Sequence, residues 1–177
     1  DDFTFSGNIA TFANGTATLD TSGSSGTFTF QDTSDNVFNS GTTGDAINLQ
    51  PPTGITSADT FQVNFAFTTP VTAFNFDWID LFDTDTAGDG PVTYEIYVGG
   101  TLIAYMENPV IGSSNSATIN LYDGVGNIRG QVTVGQGLEV SFGFLLPNPT
   151  SQMTLVYKTA GTINASDVHG IDGFSFS

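Results

Sequence analysis

The sequence predicts an all-β protein, a single antiparallel two-sheet sandwich of jelly-roll type over residues 1–177. Three observations carry this. Apolar and polar residues alternate with period two along many short segments. Stretches of about 11 residues or more with a helical apolar stripe are missing. Clusters of Gly, Asn, Asp and Ser punctuate the alternating segments at short intervals, as in sandwiches built from many strands. A core is available to such sheets, because 38% of residues are hydrophobic, 16 of them Phe, and only 11% are charged. That balance distinguishes the chain from acidic sequences that stay disordered.

From the N-terminus, Phe3-Thr4-Phe5 reads as a short aromatic strand. Ile9 to Ala13 and Thr16 to Leu19 flank Asn14-Gly15, a two-residue hairpin signal because both residues tolerate positive φ. Gly26 to Phe30 is a further strand, set between two Gly/Ser/Thr/Asp-rich stretches, 20–26 and 32–45, that read as long surface loops. The clearest alternation runs Thr60 to Phe67, with Phe61, Val63, Phe65 and Phe67 on one face and Gln62, Asn64 and Ala66 on the other. Val71 to Trp78 follows as a separate strand. Val92, Tyr94, Ile96 and Val98 then alternate with Thr93, Glu95 and Tyr97, and Gly99-Gly100 turns the chain into Thr101 to Tyr105. Ala117 to Tyr122, Gly130 to Val134, the alternation Leu138, Val140, Phe142, Phe144, and Met153 to Lys158 complete the set. The closing Phe174-Ser175-Phe176 matches Phe3-Thr4-Phe5, so the two ends are expected to pair or face each other. In the alternative, residues 1–9 leave their own subunit and complete a neighbour's sheet, with Phe3, Phe5 and Ile9 as the assembly contacts.

Charge restricts function. The chain carries 18 acidic residues against two basic ones, Arg129 and Lys158, with one histidine, His169, and no cysteine, for a net charge of −16. Nucleic acid is excluded as a partner, because binding to it depends on basic side chains that displace phosphate counterions. Anionic membrane surfaces are disfavoured for the same reason, and no apolar run is long enough to insert in a bilayer as a helix. Nucleophiles, proton shuttles and anion clamps are drawn largely from Lys, Arg, His and Cys, so the expectation is a protein that is not an enzyme. Abundance of Thr, Ser, Gly, Asn and Asp points to a secreted, extracellular or cell-surface location.

Several constellations could carry chemistry. The densest acidic run, Asp77 to Gly90, includes Asp80, Asp83, Asp85 and Asp89 at spacings that suit a hard cation needing six to eight oxygen ligands, and calcium is the natural candidate. It is no EF-hand, since Ala87 and Tyr94 stand where that loop requires oxygen ligands. The plain alternative is a solvated acidic loop. Asp172, placed at the start of the last strand, is expected to approach Asp2 or Asp1 if the termini pair, giving a second candidate calcium site. His169 lacks the G-x-S-x-G elbow of a hydrolase triad and, without cysteine, the partners of a typical zinc site. A glycosidase pair of carboxylates remains conceivable from composition alone. Trp78, Tyr94, Tyr97, Tyr105, Tyr122 and Tyr157 could stack on sugar rings or pack in the core. Tyr97, opposite the Tyr94/Ile96 face, and Trp78 are the leading carbohydrate-binding candidates. Asn14-Gly15-Thr16 and Asn164-Ala165-Ser166 match the N-glycosylation acceptor pattern.

The second part of the chain, from Val71-Thr72-Ala73-Phe74-Asn75-Phe76-Asp77 through Tyr94-Glu95-Ile96-Tyr97-Val98-Gly99-Gly100 to Phe142-Gly143-Phe144 and Gly170-Ile171-Asp172-Gly173-Phe174-Ser175-Phe176, resembles secreted bacterial β-sandwich domains of the PEP-CTERM type. The Pro-Glu-Pro sorting tail of that type is not in the sequence. The resemblance implies an exported protein of the surface or biofilm matrix with a fold similar to carbohydrate-binding modules. It also implies a structural calcium near Asp172, with Asp1 or Asp2 as partner, and it supplies no catalytic residue.

Two functions are expected from these readings. The first is a structural protein that assembles with copies of itself into a filament or matrix, by donated strands and cation bridges. The second is a calcium-stabilised carbohydrate-binding module that takes a polysaccharide.

Overall fold

The computed structural model describes residues 4–22, 32–33, 46–49, 60–81, 92–108, 116–135, 138–159 and 169–177. These residues form strands and turns, with no helix among them. In chain order the strands are β1 (Thr4–Ser6), β2 (Ile9–Phe12), β3 (Gly15–Asp20), β4 (Asp32–Thr33), β5 (Ala46–Leu49), β6 (Thr60–Leu81), β7 (Val92–Val98), β8 (Thr101–Asn108), β9 (Ser116–Asp123), β10 (Ile128–Gly135), β11 (Leu138–Thr159) and β12 (His169–Phe176). Every pairing between them is antiparallel.

The architecture turns on β6 and β11, each 22 residues long and paired with the other along its length. Their ladder is regular from Val140 to Leu145 and from Gln152 to Lys158, shifts once between Leu138 and Val140, and is broken in the middle, where Leu145 pairs with Ala73, Thr150 with Val71 and Gln152 with Ala66. Pro70, Pro147 and Pro149 fall in this break. Proline lacks the N–H that a ladder needs and is tolerated where pairing lapses. The break also changes which face is buried. Val63, Phe65 and Phe67 are buried in the first half of β6 and Phe74 and Phe76 in the second, a switch from odd to even positions. The same switch takes β11 from Val140 and Phe142 to Met153, Leu155 and Tyr157.

Each long strand therefore serves two layers. In one, the order is β1-β2-β3-β6-β11-β7-β8-β9-β10. In the other, β12 pairs with the second half of β6 through Ile171↔Trp78 and Asp172↔Asp77, and extends to β5 and β4. Rings from the two layers meet in the core, mostly edge to face or tilted. Phe65 lies 5.5 Å from Phe74, and Phe176 of β12 lies 5.1 Å from Phe12, 4.8 Å from Phe67 and 5.2 Å from Phe74. This is the antiparallel all-β sandwich that the alternation predicts. Tyr94 and Tyr157, paired across β7 and β11, are fully buried and meet edge to face at 5.2 Å, extending the core beyond the phenylalanines. Burial of each such ring is worth about 1.5–3 kcal/mol.

Both predicted hairpins form. Gly99 and Gly100 sit at φ 57° and 78° and link Val98 directly to Thr101, the geometry of a two-residue turn whose twist matches the strands. The first hairpin turns one residue earlier than expected, at Ala13-Asn14, because Phe12 pairs with Gly15. Gly15 is needed inside the strand, at φ 152°, since a Cβ there would run into the Ala66 carbonyl oxygen. Asn14 is engaged elsewhere. Its Oδ1 accepts from the Thr69 amide at 2.9 Å and its Nδ2 donates to the Thr69 carbonyl at 3.2 Å, tying the hairpin tip to β6.

Other expectations are corrected. Val71 to Trp78 continues the strand begun at Thr60, and Leu138 to Phe144 runs on into Met153 to Lys158. The stretch 32–45, read as loop, begins with β4, and β5 carried too few alternating residues to be recognised. The matching ends do not pair as strands. β1 is hydrogen-bonded to β2, whereas β12 lies between β5 and β6. In the core Phe176 meets Phe12 of β2 instead. Gly26 to Phe30 and Asn164 to Ser166 lie outside the described residues.

Candidate functional site

The outward face of the first layer carries the features that suit binding. Alternation buries Tyr94 and Ile96 and turns Thr93, Glu95 and Tyr97 outward, as the sequence predicts. Neighbouring strands continue this face. Glu95 lies opposite Tyr105, Tyr105 opposite Tyr122, Glu107 opposite Asn120, and Asn120 opposite Gln131. A bulge between Ile96 and Tyr97 leaves Ile103 without a register partner and re-aims the end of β7.

Tyr105 and Tyr122 form a cross-strand stack with centroids 4.6 Å apart and planes 9° apart. Both are half-buried. Asn120 Nδ2 donates to the Tyr122 hydroxyl at 3.1 Å, and Gln131 Nε2 donates to Asn120 Oδ1 at 2.7 Å, so a chain of amides fixes one end of the stack. Loss of solvent around Tyr105, together with the charges of Glu107, Asp123 and Glu95 and the neighbouring Tyr122, raises its pKa.

At the other end, one carboxylate holds two partners. Tyr97 Oη donates to Glu95 Oε2 at 2.6 Å, and Lys158 Nζ lies 2.6 Å from the same oxygen. The hydrogen bond to Glu95, with desolvation and the carboxylate charge adding to it, pushes Tyr97 up to about 12. Lys158 is consumed by this contact. Arg129 is likewise taken by Asp123, with Nη2 at 2.7 Å and Nε at 2.9 Å from Oδ2.

Asp123 organises the β9–β10 turn. Its Oδ1 accepts from the amides of Asn127 and Val125 at 2.9 and 3.1 Å, and its Oδ2 from Asn127 Nδ2 at 3.0 Å. Hydrogen bonds from Asn127, with those of Arg129 and Val125, hold its carboxyl far below the usual range. Such a saturated carboxylate has little left to offer a cation. Its work is to fix a turn whose Gly126 packs close to the Tyr105 hydroxyl.

No protein-family model matches the chain, and no curated protein does. Among solved structures, TmCBM61 in complex with β-1,4-galactotriose is similar at 11% identity and a TM-score of 0.35, over 91% of this chain and 81% of that one. TmCBM27, a carbohydrate-binding module described by its specific mannan recognition, is similar at 9% identity and a TM-score of 0.41, over 74% of this chain and 72% of that one. The catalytic domain of a GH87 α-1,3-glucanase with tetrasaccharides reaches 18% identity and a TM-score of 0.40, over 92% of this chain but 28% of the enzyme. Likeness at this level says nothing of what this chain binds.

The sequence-predicted residues fall unevenly. Tyr97 is on the outward face as expected, joined by Tyr105 and Tyr122, while Tyr94 and Tyr157 are core. Trp78 and Asp80 lie on β6 by their backbone, so Asp80 belongs to a strand and not to the acidic loop. Asp83, Asp85 and Asp89 lie outside the described residues, as do Asp2 and Phe3. Asp172 is in the middle of β12, not at its start, and its register partner is Asp77 of β6, while the expected approach of Asp2 or Asp1 lies outside the described residues. Among the described residues no three acidic or histidine side chains gather to hold a metal ion. Ile9 is 43% exposed on β2, and Phe5 is placed by its backbone on β1. Behind the tyrosine face, a cleft of about 220 Å³ opens between β9–β10 and β11, floored by Ile119, Leu121, Val132 and Phe142.

Proposed function

We propose that the chain is a secreted, non-catalytic carbohydrate-binding sandwich that takes a polysaccharide on the outward face of β7 to β10. The carrying observation is the Tyr105/Tyr122 stack, set between the Tyr97–Glu95 pair and the Asn120–Gln131 amides. Cross-strand aromatic pairs also stabilise sheets, by about 0.2–1 kcal/mol. The surrounding polar groups favour the binding role. Each stacked ring has one face turned from its partner, on which the C–H face of a sugar could continue the stack. Amides and carboxylates on adjacent strands can meet the hydroxyls.

Affinity electrophoresis against a panel of neutral polysaccharides tests this. Binding that falls about tenfold or more in Tyr105→Ala and Tyr122→Ala, equivalent to ~1.4 kcal/mol, supports the reading. Retention in the double variant, shown to be folded by its melting curve, refutes it.

Self-assembly through strand donation is a second reading, favoured by how lightly β1 is held. Three residue pairs join it to β2, Thr4↔Thr11, Phe5↔Ala10 and Ser6↔Ile9, beyond a turn at Gly7 with φ 59°. Exchange of β1 between copies would disturb little else. Electron microscopy with calcium or chelator distinguishes ordered filaments from a dispersed monomer. Calcium itself has the Asp77↔Asp172 register to support it, which sets two acidic positions opposite each other on adjacent strands. A cation there predicts that Asp172→Asn loses the rise in melting temperature that calcium gives the parent chain.

A further inference from the structure

The charges around the tyrosine stack distinguish among polysaccharides. Both basic side chains of the protein are engaged, Lys158 with Glu95 and Arg129 with Asp123. Each is neutralised by its own carboxylate, which weakens its pull on a ligand's carboxylate or sulfate. Glu107 is different. It is exposed on β8, two residues from Tyr105 on the same face, opposite Thr93 on one side and Asn120 on the other. Its charge is felt at the Tyr105 hydroxyl. A net charge of −16 adds a field that concentrates cations near the surface.

Resting on the proposed glycan reading, we infer that this face selects cationic amino-sugar polymers, with a glucosamine ring stacked on the tyrosines and its ammonium paired with Glu107. Aromatic stacking accepts any pyranose with an exposed C–H face. Selection then comes from the 2-position, where an ammonium meets the carboxylate and an N-acetyl group does not. An anionic glycan meets repulsion from Glu107 and finds no cation without a carboxylate partner among the described residues. The inferred contact lies at the surface, so it is an exposed ion pair reinforced by multivalency along the polymer.

Calorimetry with glucosamine hexamer and N-acetylglucosamine hexamer decides the matter, at a mildly acidic pH where the amines are protonated and glutamate is ionised. The expected result is binding about fivefold tighter for the glucosamine hexamer, the upper range of one exposed ion pair. That preference should vanish in Glu107→Gln and shrink once salt shortens the Debye length to ~3 Å at 1 M. Glu107 is exposed, so the variant is expected to fold, and its melting curve verifies this. Equal affinity for the two hexamers, or a preference untouched by Glu107→Gln, overturns the inference while the glycan reading stands. Failure to bind either hexamer alongside retained binding to neutral polysaccharide also overturns it alone. Failure against every glycan overturns both.

Discussion

Phe176 stacks on Phe12 with ring centroids 5.1 Å apart and planes 21° apart, joining the last strand to the first hairpin at the margin of the core. The same ring touches Phe65, Phe67 and Phe74, at 6.4, 4.8 and 5.2 Å. Phe176→Ala removes four aromatic contacts at once and leaves a cavity between the layers. A loss of about 3 kcal/mol is expected in urea unfolding. A loss below ~1 kcal/mol would mean that β12 adds little to the core.

Tyr97 should titrate late. Its pKa rises from 10.0 to about 12 because the folded state holds the neutral hydroxyl on Glu95. The sign follows directly. The stability this bond contributes is complete below the unfolded value of 10.0 and disappears as pH climbs through about 12. Spectrophotometric titration of the five tyrosines should show a late-ionising group that is missing in Tyr97→Phe.

Asp123 predicts the opposite pH response. A depressed carboxyl contributes stability above the unfolded value of ~3.9 and loses it only as pH falls through the folded one. Amide protection at Val125 and Asn127 should therefore persist to strongly acidic pH in hydrogen exchange. In Asp123→Ala that protection should be lost even at neutral pH, with the melting temperature lowered.

Glycines at Gly15 and Gly143 should differ in their tolerance. A Cβ at Gly15 meets the backbone carbonyl of Ala66, which cannot move without parting β3 from β6, and φ there is 152°. Gly15→Ala is expected to cost about 3 kcal/mol, the high end for a single substitution. At Gly143 the obstacle is the Asn75 amide, an exposed side chain that can swing away and give up its 3.0 Å bond to Ser175. Gly143→Ala should cost about 1 kcal/mol. Comparable values for the two would contradict the close approach of β3 and β6.

Most of the sheet was readable where one face is buried and the other wet, because period-two alternation reports that asymmetry directly. Thr60 to Phe67 and the Gly99-Gly100 hairpin are such cases. The continuity of β6 and β11 was hidden by its own cause. A change of buried face and a proline at the bend look, in sequence, like the end of one strand and the start of another. The outward position of Tyr97 was legible from alternation, but its partnership with Glu95 and Lys158 joins residues 63 positions apart from Glu95 to Lys158 and depends on register. Tyr105 and Tyr122 were visible only as members of a list of aromatics. Their stacking depends on the β8–β9 register, which period two leaves free to slide by pairs. The displaced turn at Asn14 reflects the tertiary bonds to Thr69, which no local signal contains.

The shared spine of β6 and β11 has a consequence for unfolding. A sandwich whose sheets are made from separate strands can lose one layer while the other persists. Here each layer is cut from the same two strands, so a layer cannot detach without taking half of its partner's ladder with it. Slow-exchanging amides in the two halves of β11, around Phe142 and around Leu155, should open together with one free energy, and the denaturant slope of that opening should equal the global one.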